Sequence, residues 1–344
     1  MKPRTQTLLV GAVPIVALAA AISAPQLTVP YAAQGPGPMF NVLGEVEGAT
    51  VIDVSGPDAD SEQSAGQLDL TTVAVHHNLT LPQVVALWLN SENQIVPLET
   101  IFPPGQSEEE VTEKNEAAFT ESEANATAAA LDRLGLPTET IVAYTMPDSP
   151  AAAVLKEGEV IEEVDGAAIS EPEDVQRAVL SRAVGDRIEV RLREAEGSRV
   201  RTERIELIES PHAPGVPLLG VGMNTQPAGQ NKVEYQLSGI GGPSAGLMMS
   251  LGVIDKLSPG DLTQGRYIAG TGTINAAGLV GEIGGVTHKI AAARKAGAEM
   301  FFVPKLNCAE ALGADAGEML LIQVESLDDA VAAINDPAAA PQCS

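Results

Sequence analysis

Aromatic side chains are scarce in this sequence, with one Trp, four Tyr and five Phe in 344 residues. Its cores must therefore be built from Val, Leu, Ile and Ala. Cysteine is nearly absent. Cys308 and Cys343 stand alone beside four histidines, so there is no His/Cys cluster and a zinc centre is not expected. The two thiols either pair, as an oxidising compartment permits, or stay free. Positive charge is also short. Twenty Lys and Arg against 46 Asp and Glu leave a net charge of −26. That argues against nucleic acid as a partner, since binding it needs a basic patch. No Gly-x-x-x-x-Gly-Lys-Ser/Thr occurs, so there is no P-loop, and no cofactor or metal is expected. Apolar residues make up 44% of the chain, which excludes chain-wide disorder. The length leaves room for two or three domains.

The histidines do not assemble a site. His76 and His77 are adjacent on an extended run and point to opposite faces, a poor metal pair. His212 falls in a Pro-rich stretch and His288 stands one residue before Lys289. No Ser-His-Asp arrangement can be built from them.

Lys2 and Arg4 precede an apolar run over 7–24. As a helix its 18 residues would be roughly 27 Å long, just enough to cross a bilayer. The basic residues place the N-terminus inside and the rest of the chain outside the cytoplasmic membrane. Ala19-Ala20-Ala21 keeps a cleaved signal peptide as the alternative. Gln34-Gly35-Pro36-Gly37-Pro38 then reads as a stiff, turn-rich exit.

Strand-like runs follow at 50–54 and 68–75, with 56–66 reading as the loop of a hairpin between them. Residues 81–89 read as a short helix. Residues 108–134 read as a long one whose acidic start suits a helix N-terminus. Residues 125–208 read as a module of helix, strand (140–144), turn (147–150), strand (160–164), Asp165-Gly166 turn, helix (171–182) and two strands (187–193, 200–207). Residues 211–217, Pro-His-Ala-Pro-Gly-Val-Pro, read as a linker.

The chain centres on Gly241-Gly242-Pro243-Ser244-Ala245-Gly246, between a strand-like run (232–237) and an apolar run (247–254). A serine at such a turn sits among N–H groups without intrahelical partners, which can hold a developing oxyanion. The plain alternative is that Ser244 only caps the helix. Downstream stand Ile268-Ala269-Gly270-Thr271-Gly272-Thr273-Ile274, Gly278-Leu279-Val280-Gly281-Glu282-Ile283-Gly284-Gly285 and Val286-Thr287-His288-Lys289-Ile290-Ala291-Ala292-Ala293. This order, over 233–334, resembles the proteolytic domain of Lon.

The resemblance implies a Ser/Lys dyad. Ser244 would be the nucleophile and Lys289, 45 residues on, the general base. Thr271 would support the lysine, and Gly242 and Ala245 would flank the nucleophile. A serine needs a neighbour to take its proton, and a lysine serves only if burial lowers its pKa. Lys295 is six positions on and faces elsewhere round the helix. Arg294 reads as a surface residue and Glu282 as a loop carboxylate. Gly241 stands where Lon commonly has a charged residue.

The segment 149–166, Ser-Pro-Ala-Ala-Ala-Val-Leu-Lys-Glu-Gly-Glu-Val-Ile-Glu-Glu-Val-Asp-Gly, resembles the PDZ signature, with Glu159 where Asp is commoner. Such domains hold a peptide tail by strand addition, and the carboxylate loop would lie near Leu134-Gly135-Leu136. The whole layout resembles the bacterial YlbL-like group of PDZ proteases.

The fold expected is α+β. It comprises a stub and transmembrane helix (1–25), a β-rich and helical region (26–124), a PDZ-like domain (125–208), a Lon-type α/β proteolytic domain (209–335) and a tail (336–344). The function expected is ATP-independent, membrane-anchored serine endopeptidase action on unfolded or extracytoplasmic proteins. The partners expected are protein or peptide substrates and membrane lipid, and the resemblance raises homo-oligomeric ring assembly. The competing reading is a non-catalytic PDZ scaffold.

Overall fold

A computed structural model describes residues 28–344 apart from 47, 61–63, 196, 198, 212, 230 and 238. The apolar run over 7–24 and His212 therefore lie outside the described residues. No described helix is long and apolar enough to cross a membrane.

The first half of the chain opens with β1 (Tyr31–Asn41), β2 (Ile52–Ser55), β3 (Gln67–His76), α1 (Leu81–Trp88), β4 (Gln94–Pro97) and α2 (Glu108–Leu134). It continues with β5 (Thr138–Thr145), β6 (Val160–Val164), α3 (Pro172–Leu180), β7 (Arg187–Arg193) and β8 (Val200–Glu206). Then come β9 (Ile208–Ser210), β10 (Ala213–Leu218), β11 (Val221–Pro227), β12 (Lys232–Tyr235), α4 (Gly246–Leu257) and β13 (Tyr267–Gly270). The chain closes with α5 (Val286–Ala296), β14 (Met300–Pro304), α6 (Cys308–Ala311), β15 (Leu320–Val324) and α7 (Leu327–Asn335).

Two sheets organise the molecule. One has the order β15-β14-β13-β3-β1-β4. Its β13, β14 and β15 run parallel to one another, β13 also runs parallel to β3, and β1 is antiparallel to both β3 and β4. Leu68 and Leu70 on β3 turn to one face and meet α2, α4 and α7 through Leu131, Leu247, Leu251 and Ala330. On the other face Ala269 and Phe301 pack against α5 through Val286, Ile290 and Ala293. The second sheet, β8-β7-β6-β5-β11, packs its inner face on α3 through Ile161, Val175, Val179 and Leu192. Glu159 takes its unusual place for a reason: its buried carboxylate pairs with Arg201 on β8 and accepts the Lys156 N–H.

Several sequence expectations change. The stretch 56–66 is not a hairpin loop, because β2 pairs with β12 and β3 lies between β1 and β13. A strand as apolar as β3 needs cover on both faces and partners on both edges. The end of the long helix, grouped by sequence with the module at 125–208, belongs to the first core through Ala126, Ala129, Ala130 and Leu131. The stretch 211–217 is not a free linker, because β10 folds back on β9. The second sheet also gains β11, which pairs with β5 from Val221↔Thr145 to Pro227↔Thr138. Residues 31–97 and 267–324 thus share one sheet, with the second sheet inserted in the chain between them. Cys308 and Cys343 form a disulfide, which ties the tail down beside β15 through Cys343 N–H to Leu321 C=O.

Candidate active site

Ser244 stands where the chain turns from β12 into α4. Gly242 has φ +84°, which glycine adopts without strain. Two groups of α2 grip this turn. The Gly242 N–H donates to the Asn115 C=O at 2.8 Å, and the Ser122 hydroxyl donates to the Pro243 C=O at 3.0 Å. Gly246 permits the close approach, because a Cβ there would come within 2.8 Å of Ser122 Oγ and Ile274 Cγ2. The N-cap of α4 is Ala245 and carries no side-chain cap bond. Ser244 is therefore not a capping residue, and its hydroxyl is left for other use.

Lys289 lies in the first turns of α5. Val286, Ile290 and Ala293 are fully buried on the same helix, and they draw the lysine stem inward until Lys289 itself is 2% exposed. Its Nζ ends 2.8 Å from Ser244 Oγ and 2.8 Å from Thr271 Oγ1. The Thr271 hydroxyl donates to the Ser244 C=O at 3.0 Å, and the Gly272 N–H reaches the same oxygen at 2.9 Å. No carboxylate pairs with Lys289 among the described residues. Burial therefore acts unopposed and pulls the amine down to about 7.

Ser244 and Lys289 border a cavity of about 720 Å³, whose walls include Phe40, Val73, Ile240 and Ile283. Exposed Glu282 stands at its rim. Of the two flanking residues, Gly242 spends its N–H on Asn115 and is no donor to a bound oxygen. The N–H groups of Ser244 and Ala245 make no hydrogen bond among the described residues.

The remaining candidates lie apart. His288 turns away from Ser244, with Nδ1 3.1 Å from the Glu92 C=O and Nε2 buried without a partner. His77 meets Phe102 edge-on. Arg294 pairs with Asp315 and Lys295 lies 3.9 Å from Glu92, both at the surface. The predicted carboxylate loop is also displaced, since Leu134 and Leu136 pack against the first core. The apolar groove of the second sheet, about 280 Å³, lies instead between α3 and β11, lined by Val175, Val179, Leu219, Val221 and Met223.

Sequence reasoning missed Asn115 and Ser122. The one available signal was their spacing of seven, which places both on one helix face.

Residues 239–334 match the Lon protease (S16) C-terminal proteolytic domain. An archaeal Lon protease from Halobacterium salinarum is 40% identical over 75 residues, 22% of this chain and 10% of that protein. The chain thus spans about a tenth of that curated relative's length. Ser244, Thr271 and Lys289 all fall inside the matched stretch. Among solved structures, the PDZ domain of an SdrC-like protein from Listeria monocytogenes is 27% identical, with 25% of this chain and 86% of that chain covered and a TM-score of 0.23. A solution structure from Geobacillus thermodenitrificans is 29% identical, covering 24% of this chain and 94% of that one with a TM-score of 0.22.

Proposed function

We propose that this chain is a membrane-anchored serine endopeptidase of the Lon type that cuts loosely folded extracytoplasmic proteins without ATP. The observation that carries the reading is the 2.8 Å approach of the Lys289 amine to the Ser244 hydroxyl, with no carboxylate paired to the amine among the described residues. The amine, neutral above about pH 7, takes the hydroxyl proton as Ser244 Oγ attacks the scissile carbonyl. The oxygen that gains charge is met by the free N–H groups of Ser244 and Ala245 at the start of α4. Lys289 then returns its proton to the leaving amine, and water releases the acyl group by the same base.

Under this reading the groove between α3 and β11 takes a peptide tail. β11 is an edge strand of its sheet, so an extended peptide can add beside it. The run at 7–24 holds the chain on the membrane.

The test is cleavage of unfolded casein by the purified chain without ATP, with Ser244→Ala and Lys289→Ala beside it. Cleavage lost in both variants and rising through about pH 7, where Lys289 gives up its proton, supports the dyad. Cleavage that survives in both sinks it. A chain inert under every condition, tail peptides included, returns the weight to a scaffold.

A further inference from the structure

Helix α1 stands out among the described helices that carry an apolar face, because it buries none of its own residues. Val85, Trp88 and Leu89 are 46, 67 and 74% exposed. Their spacing of three and four puts them on one face. Between Leu81 and Asn90 there is no charged residue, in a chain of net charge −26. An apolar, uncharged face on so acidic a surface needs cover.

Its place in the chain points to the cover. Thr28, the first described residue, bridges to Thr80, the N-cap of α1, and the Val29 N–H donates to the Leu79 C=O at 2.9 Å. The apolar run over 7–24 ends just four residues earlier, a span of about 14 Å at full extension. The chain therefore brings α1 to wherever that run goes. Tyr31, three residues after Thr28, is 45% exposed as well. Trp and Tyr are the side chains that settle at the boundary of hydrocarbon and headgroup.

We propose that the face formed by Val85, Trp88 and Leu89 lies in the interfacial layer of the lipid bilayer, as a second contact beside the N-terminal run. The proposal rests on the reading of that run as a retained membrane anchor. A second copy of the chain is the poorer occupant. A stable protein interface buries roughly 1,000 Å² or more, and a helix of eight residues, about 12 Å long, offers three side chains toward it. The lack of charge fits a bilayer better than a polar rim.

Trp88 is the chain's only tryptophan, so its fluorescence reports on this face alone. The full chain, N-terminal run included, is reconstituted into phosphatidylcholine vesicles with and without lipids brominated near the headgroup. Vesicle flotation is read in parallel. The expected result is that the chain floats, Trp88 emission shifts to the blue, brominated lipid removes most of it, and aqueous iodide does not. Val85→Glu with Leu89→Glu should restore iodide quenching while leaving cleavage of a soluble peptide unchanged. A chain that floats with Trp88 open to iodide and untouched by bromine overturns the proposal and leaves the anchor standing. Trp88 shielded from both quenchers, increasingly so with protein concentration, overturns it in favour of a second copy. A chain that does not float overturns anchor and proposal together, with the peptidase reading untouched.

Discussion

A neutral amine has two protons to give and one electron pair to receive with, and at Lys289 one of the protons goes to Thr271. The Thr271 hydroxyl commits its proton to the Ser244 C=O, so its oxygen can only accept from Lys289. The Ser244 hydroxyl stands 2.8 Å from Nζ, within reach to give its proton to the lone pair, which is the direction that general-base action requires. Thr271 thereby fixes one of the three directions round the amine. Thr271→Val should lower kcat by roughly ten- to a hundredfold, the worth of one or two hydrogen bonds, with KM little changed in steady-state kinetics.

The same burial has a cost in stability. Lys289 is lowered from 10.5 to about 7 by desolvation. Below pH 7 the folded state must carry a buried ammonium. Between 7 and 10.5 the unfolded chain holds a proton that the folded chain lacks, so stability rises with pH across that window. Lys289→Met should therefore abolish cleavage and stabilise the fold by about 1–3 kcal/mol near neutrality. Thermal melts should show the gain largest below pH 7 and shrinking toward pH 10.5. A gain that does not vary with pH would mean that packing, rather than charge, is responsible.

At the scale of elements, α2 deserves the role of splint. Its Asn115 and Ser122 hold the backbone on both sides of the Gly242–Pro243 bond, while its apolar face is part of the first core. Ser122→Ala should reduce kcat by about five- to tenfold, one hydrogen bond's worth, with KM held and the melting temperature lowered by only a few degrees. Ser122→Thr should recover most of it. The bounds of this helix were legible in advance. Three glutamates open it, as the macrodipole favours, and Gly135 ends it in the left-handed region. Its partners were not legible, because Ser122 lies 121 residues from Pro243 and nothing local records such a contact. The false hairpin at 56–66 failed for the same reason. Alternation and turn residues describe strands well, but β2 finds its mate at β12, far along the chain. That Ser244, Lys289 and Thr271 would meet was legible through a family pattern, whereas their hydrogen-bond order belongs to the fold.

For the molecule as a whole, the second sheet is a detachable insertion. Thr138 and Pro227 are paired neighbours where β5 and β11 begin and end, so the chain leaves and returns at one point. Replacing 138–227 with a short Gly/Ser linker should leave a folded protein that still cleaves unfolded casein but no longer responds to tail peptides. Circular dichroism and the cleavage assay check both halves. By contrast, residues 209–335 made alone lack β1, β3, β4 and α2 and should not give a cooperative melt. The Cys308–Cys343 bond closes 35 residues of separation. Its reduction should lower stability by roughly 2–4 kcal/mol, seen as an earlier midpoint in urea.

The shared sheet also governs when the candidate site can assemble. Its central strand comes from the beginning of the chain and must wait for β13, β14 and β15 from the end. A chain still being made has synthesised Ser244 before Lys289 exists, and its hydroxyl has then only the reactivity of any serine. Competence arrives late and all at once, after most of the polypeptide has left the ribosome.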